Sequence, residues 1–418
     1  MNANTMATPV SVVPEATLLR YSRWMLIVTI GALPLYVVRW HYGPLPTTLL
    51  ETLILITLGS YVVAKWRESG IPRPLRTPYD IPIVLLIVAA SIAVFLPPDH
   101  RAALGLYRAF FIEPVLIFYV AVDLLRGELY LRRAVVSFAI GSSLLAVLNL
   151  AAVAQALMHH TFHVGAAPNA VYGDANYVAM YLEPPVAFAL AVLLFDRTPR
   201  WRWLGAVWLA ITGLALLLTL SKGAYLALIV LGAIVILRLR RWMLPLLVGL
   251  AAVAFLISRV PLVALRIAAS ENTLYGRFQI YGATIRSMQD HWLFGWGIGG
   301  WDYIYRRKTP QPYPHDIWLT FWVELGLLGV IAFAIIFFGL LWRGWRGLPQ
   351  TEGFYRVALW GVLGALVLWG VHGLADTPYW KNDMAVEFWV LAAIELAAIW
   401  SIAAKTKPPP AAPVPLDS

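Results

Sequence analysis

The chain has no cysteine. That excludes a disulfide framework, a thiolate nucleophile and a cysteine-based metal site. It is also poor in charge: 13% of its residues are charged, about half the share usual in soluble domains. No internal repeat is evident, which argues against the paired repeats common in secondary transporters. Met1 to Thr17 is polar and has no small-residue cleavage site before an apolar core. The first span is therefore expected to stay as an uncleaved anchor. What the chain does have is apolar surface. It is 60% hydrophobic, with mean hydropathy +0.72 and 19 Trp in 418 residues. So apolar a chain must meet lipid, and Trp and Tyr favour the bilayer interface.

A spanning helix needs about 20 mostly apolar residues. Twelve stretches qualify: 22–38, 46–65, 80–96, 108–124, 133–157, 174–195, 202–219, 222–237, 242–258, 315–342, 355–375 and 384–403. The chain reads as an all-α polytopic membrane protein of about twelve transmembrane helices. It divides into an N-terminal segment 1–21, nine helices over 22–258, a loop over 259–314, three helices over 315–403 and a disordered Pro- and Ala-rich tail over 404–418. Lys and Arg bias sets orientation. With the N-terminus inside, the cytoplasmic segments hold twenty of the 32 Lys and Arg, and the short outer loops hold five. Both termini are then cytoplasmic and the long loop is outside.

That loop holds the other seven cations, Arg259, Arg266, Arg277, Arg286, Arg306, Arg307 and Lys308, against Glu271, Asp290 and Asp302. Long loops cross largely regardless of charge, so topology permits this. Two readings account for it: contact with anionic headgroups, or binding of a phosphorylated substrate. Arginine suits the second, because its planar fork binds phosphate through two hydrogen bonds. Gly295, Gly297, Gly299 and Gly300 predict a compact turn and, with no strand before them, not a nucleotide-binding fingerprint.

His315 stands where the tenth span begins, and imidazole can accept a proton near neutral pH. Asp316 beside it either orients the ring or caps the helix. Lys222, between the seventh and eighth spans, either snorkels from a helix end or adds a cation for a diphosphate. Glu113, Glu183, Glu324 and Glu387 lie within spans, where carboxylates are costly and point to function. Asp376, at the outer end of the eleventh span, either binds an acceptor or pairs with an arginine. His159, His160 and His163 form an outer-loop cluster rather than a metal site. No acidic pair of the kind that holds Mg²⁺ is evident.

The stretch "HDIWLTFWVELGLLG" resembles the signature of the O-antigen ligase family, whose domain is shared with O-antigen polymerases and bacterial O-oligosaccharyltransferases. The family pattern is His, then Asn, Ser or Gln, nine residues, Gly, two residues, then Gly, Thr or Tyr. Here His315, Gly326 and Gly329 keep the spacing, and Asp316 departs from it. A second pattern, Arg-x-x-x-Leu, is met by Lys222 and Leu226, with lysine in place of arginine. Gly276-Arg277 is similar to the family's loop element, and Asp376 occupies its acidic position.

The resemblance implies a C-type, metal- and cofactor-free inverting glycosyltransferase on the periplasmic face of the bacterial inner membrane. Its donor would be a glycan on undecaprenyl diphosphate, and its acceptor a lipid A–core, another glycan or a protein hydroxyl. His315 would be the general base and Arg277 would stabilise the diphosphate. Lys222, Arg286, Arg306, Asp376 and Asp316 would bind substrate. Such a chain would work among membrane lipids as a monomer, with no nucleic acid as partner.

Overall fold

The computed structural model describes residues 17–43, 45–70, 75–163, 167–238, 270–305 and 313–406, with positions 244, 248 and 249. Its helices are α1 (Thr17–Gly31), α2 (Leu49–Ser69), α3 (Asp80–Ala93), α4 (His100–Tyr107), α5 (Glu113–Leu124), α6 (Glu128–Met158), α7 (Ala175–Phe195), α8 (Pro199–Leu217), α9 (Lys222–Arg238), α10 (Ser270–Ser287), α11 (Trp301–Ile304), α12 (Ile317–Gly347), α13 (Gly353–His372) and α14 (Asn382–Thr406). Among the described residues the only sheet is a hairpin of β1 (Arg39–Tyr42) and β2 (Leu45–Thr48). The protein is therefore all-α. Among the described residues, eight helical stretches are long and apolar enough to cross a membrane. Of the predicted span 242–258 only positions 244, 248 and 249 are described, and Arg259, Arg266 and Arg306 to Lys308 fall outside the described residues.

The bundle is built around α7, α13 and α14, whose side chains are mostly buried. α7 packs on α8 and α13, α9 on α13, α14 on α5, and α12 on α3. Helix ends are closed by local chemistry. Thr48 and Glu51 form a capping box at α2, satisfying backbone donors that the first turn leaves unpaired. A π-helical turn, Arg108–Ile112, joins α4 to α5. There Arg108 reaches Glu51 at 2.6 Å and Glu113 at 3.3 Å, which gives both buried carboxylates a cation.

The basic segment ends gather at one end of the bundle. Lys65 lies 3.1 Å from Asp123 and Arg132 lies 3.0 Å from Asp196. Arg238 and Arg343 sit over the rings of Trp345 and Tyr79. The starts of α9 and α12 and the end of α13 lie at the opposite end.

The segment expected as one long loop is partly helical, and it grips α12. That helix is broken at Gly326, whose backbone lies at φ 71° and ψ −171°, a region essentially confined to glycine. The turn at 293–296 fills the break. Leu327 N donates to Leu293 O at 3.0 Å and Trp296 N to Val323 O at 2.6 Å, so the amide and carbonyl freed by the break are paired. Glu324, buried in the first half-helix, accepts from Gly299 N and holds the glycine-rich turn against it. A Cβ at Gly326 would fall on the backbone of Leu293 and Phe294. Gly326→Ala is expected to destabilise the fold by about 3 kcal/mol or more. Thermal melting of the detergent-purified variant, followed by size exclusion, checks this; a melting point equal to the parent's would contradict it.

Candidate active site

Three segments far apart in sequence meet at the end of the bundle away from the basic clusters. His315 comes just before α12, Arg277 lies on α10, and Asp376 lies in the turn after α13. His315 Nδ1 is 3.2 Å from Asp376 Oδ1, and Arg277 Nη2 is 3.9 Å from Asp376 Oδ2. Asn176, in the first turn of α7, donates its Nδ2 to Asp376 Oδ2 at 3.1 Å, and Thr377 N donates to Oδ1 at 3.0 Å. Asp376 is 1% exposed; three of these four groups are donors, and the role of the His315 nitrogen depends on its tautomer.

Burial alone would raise the Asp376 pKa. The hydrogen bond from His315 and the neighbouring positive charges, Arg277 included, outweigh it and hold the carboxyl at about 2. Asp376 is therefore a carboxylate at neutral pH and can only accept. His315 Nδ1 must then carry the proton. Its Nε2 is then the ring nitrogen without a proton, which is the tautomer a general base needs.

The backbone that presents His315 is itself unusual. His315 has φ +58°, a left-handed conformation that costs a non-glycine residue of the order of 1 kcal/mol or more. Neighbouring contacts hold it. The Tyr281 hydroxyl shares its proton between His315 O at 2.9 Å and Leu374 O at 3.0 Å. Ile317 N donates to Gly373 O at 2.7 Å. These bonds staple the start of α12 to the turn that carries Asp376. Tyr281→Phe is expected to lower kcat about tenfold, the worth of one such hydrogen bond, with KM nearly unchanged. Steady-state kinetics test this; an effect confined to KM would assign Tyr281 to substrate binding instead.

Asp316 is the N-cap of α12, accepting from Leu319 N at 2.8 Å. Burial raises its pKa, and its backbone hydrogen bonds act against that. Lys222 opens α9, and its chain neighbours Ser221 and Gly223 lie against His372. Ser221 Oγ is 3.5 Å from His372 Nε2, and a Cβ at Gly223 would fall on the His372 ring. His372 Nδ1 in turn meets Glu183 at 2.6 Å, and its carbonyl accepts from Asp376 N at 2.9 Å. The one residue thus ties the turn carrying Asp376 to the helix start carrying Lys222.

Arg286 is not brought to this cluster. It lies nine residues beyond Arg277 on α10, which places it about half a turn around the helix and roughly 14 Å along it, and it is exposed. Arg306 lies outside the described residues. Asn176, Tyr281, His372 and Lys381 belong to the cluster or its border and are not flagged by any sequence motif. His372 stands four residues before Asp376, a one-turn spacing that could have raised it.

Residues 205–334 match the family model described as O-antigen ligase. The matched stretch includes Lys222, Arg277 and His315 and stops short of Asp376. No curated protein matches the chain.

Proposed function

We propose that this chain is an O-antigen ligase. It transfers a glycan from undecaprenyl diphosphate to a hydroxyl of a lipid A–core acceptor on the periplasmic face of the bacterial inner membrane. The observation that carries the proposal is the His315–Asp376–Arg277 arrangement inside and beside the matched domain. A base with its tautomer fixed and a cation for a leaving group are the two elements that glycosyl transfer from a diphosphate needs. The acceptor oxygen attacks the anomeric carbon, the bond to the diphosphate oxygen breaks, and His315 Nε2 takes the hydroxyl proton. One displacement inverts the carbon. Arg277 and Lys222 stabilise the charge that develops on the departing diphosphate, a preorganised electrostatic effect that is often the largest in catalysis. With Arg277 and Lys222 neutralising the leaving group, no metal is required.

The Lys and Arg bias supports an arrangement with both termini cytoplasmic and twelve spans. The clustering of basic side chains at the end opposite His315 agrees with it. The purified full-length protein, given a polyprenyl diphosphate glycan, a panel of acceptors and EDTA, tests the reading. Product formed with lipid A–core alone is expected. Product formed only with a second lipid-linked glycan would make the chain a polymerase, and only with a protein hydroxyl, a protein O-oligosaccharyltransferase. No product with any acceptor, together with movement of the donor across liposomes, would make it a transporter.

A further inference from the structure

Lys381 also interacts with Asp376, and the mechanism above does not use it. It ends the turn between α13 and α14, and its side chain is half-buried. Its Nζ lies 3.6 Å from the centre of the Tyr177 ring and 5.8 Å from that of Tyr36. Among the described residues no carboxylate oxygen comes within 4.0 Å of Nζ and no side chain accepts from it. A cation over an aromatic face is stabilised by the ring's electrons. Its three N–H donors are not enclosed by the protein and face solvent or a ligand. Burial lowers the Lys381 pKa, while the charges of Asp383, Asp174 and Asp376 act in the opposite direction.

The surroundings of Lys381 form a strip that leads to the reacting centre. Tyr177 hydrogen-bonds Tyr313 through their hydroxyls, with ring centres 6.3 Å apart. Tyr313 stands edge-on to His315, with ring centres 6.1 Å apart. Tyr177 also follows Asn176, which holds Asp376. Aromatic rings offer the apolar face of a pyranose a flat surface to pack on. Arg39 acts on Lys381, Arg277 acts on His372, and Asp376 interacts with both Lys381 and Arg277.

We propose that Lys381, seated on Tyr177 beside Tyr313, is a second anion subsite. It takes a carboxylate or phosphate carried by the transferred glycan or by the acceptor, while the diphosphate lies on the Arg277 side. The identity of the carrier rests on the transferase reading; the anion subsite itself does not. Two measurements on the full-length protein in detergent therefore test it. The first is amine-reactive labelling of Lys381, read by peptide mass spectrometry. Glucuronate and glucose 6-phosphate are expected to protect it and glucose is not. Protection by neither acid, or by pyrophosphate alone, would overturn the proposal.

The second is transfer kinetics with substrate pairs that differ in one acidic group. One pair has an acidic or neutral sugar on the donor; the other has a phosphorylated or dephosphorylated acceptor. Lys381→Met is expected to raise KM for the acid-bearing member at least tenfold more than for its neutral partner, and Lys381→Arg to recover most of the difference. The pair that shows the difference identifies the carrier. An equal change in both pairs would overturn the subsite. If the parent protein transfers nothing, the transferase reading falls and the labelling result still decides this one.

Discussion

His315→Ala is expected to lower transfer by about 10²–10⁴-fold, the usual worth of a positioned general base, while the protein still inserts and folds. The fold should survive because the buried Asp376 carboxylate keeps its other partners. Asp376 keeps Asn176 Nδ2 at 3.1 Å, Thr377 N at 3.0 Å and Arg277 at 3.9 Å. The melting point should stay within a few degrees of the parent's. His315→Asn makes a sharper companion. Asparagine tolerates the left-handed backbone found at φ +58° better than most residues, and it can still donate to Asp376. It puts no base where Nε2 stands, so it should be as inactive as alanine. Rates of glycan transfer for parent and both variants decide the matter. Near-normal transfer by His315→Asn would mean that the imidazole only positions the turn, and the base would have to be sought elsewhere.

The membrane class of the chain and much of this site are legible in the residues, and the limits of that reading have physical causes. Apolar runs locate most helices because lipid demands about 20 such residues whatever their partners. The spacing of His315, Gly326 and Gly329 singles out His315 as the proposed base, and Asp376 is marked as an acidic residue at a span's outer end. The break at Gly326 is not legible. Apart from Glu324, apolar residues continue across it, and the backbone groups it frees find partners in the turn at 293–296. The helix Ser270–Ser287 is not legible either, because mixed polarity reads as loop. Without its helical period, Arg277 and Arg286 look equivalent, although the fold sends them to opposite sides. Glu183 stands out as an intramembrane carboxylate, but its partner His372 is 189 residues away. Asn176 and Asp376 are 200 residues apart. Contacts over such separations depend on how helices pack and leave no local pattern.

Asp376→Asn is expected to cost transfer on the same scale as loss of His315, although it changes the side chain's shape little. The reason is that three of the four neighbours of Asp376 are donors, and the role of the fourth, His315 Nδ1, depends on its tautomer. If the new amide nitrogen faces His315, Nδ1 must become the acceptor and the proton moves to Nε2, which silences the base. A comparable tautomer reversal in the serine-protease triad lowers kcat about 10⁴-fold. If the nitrogen faces Asn176 instead, that amide can turn to accept from it and His315 keeps its tautomer. The negative charge is still lost, so the imidazolium formed on proton transfer and the guanidinium of Arg277 are both unbalanced. Either orientation lowers kcat. The pH dependence separates this from general destabilisation. The native Asp376 pKa of about 2 lies below its ordinary 3.8. The stability it contributes is therefore fully present above about pH 4 and is lost as pH falls through 2. The parent protein should lose stability in that window, and Asp376→Asn should not show this part of the loss. At neutral pH the variant should instead remain folded and inactive. A variant that is folded and transfers at the parent's rate would remove Asp376 from the mechanism, and with it the argument that fixes which nitrogen of His315 is the base.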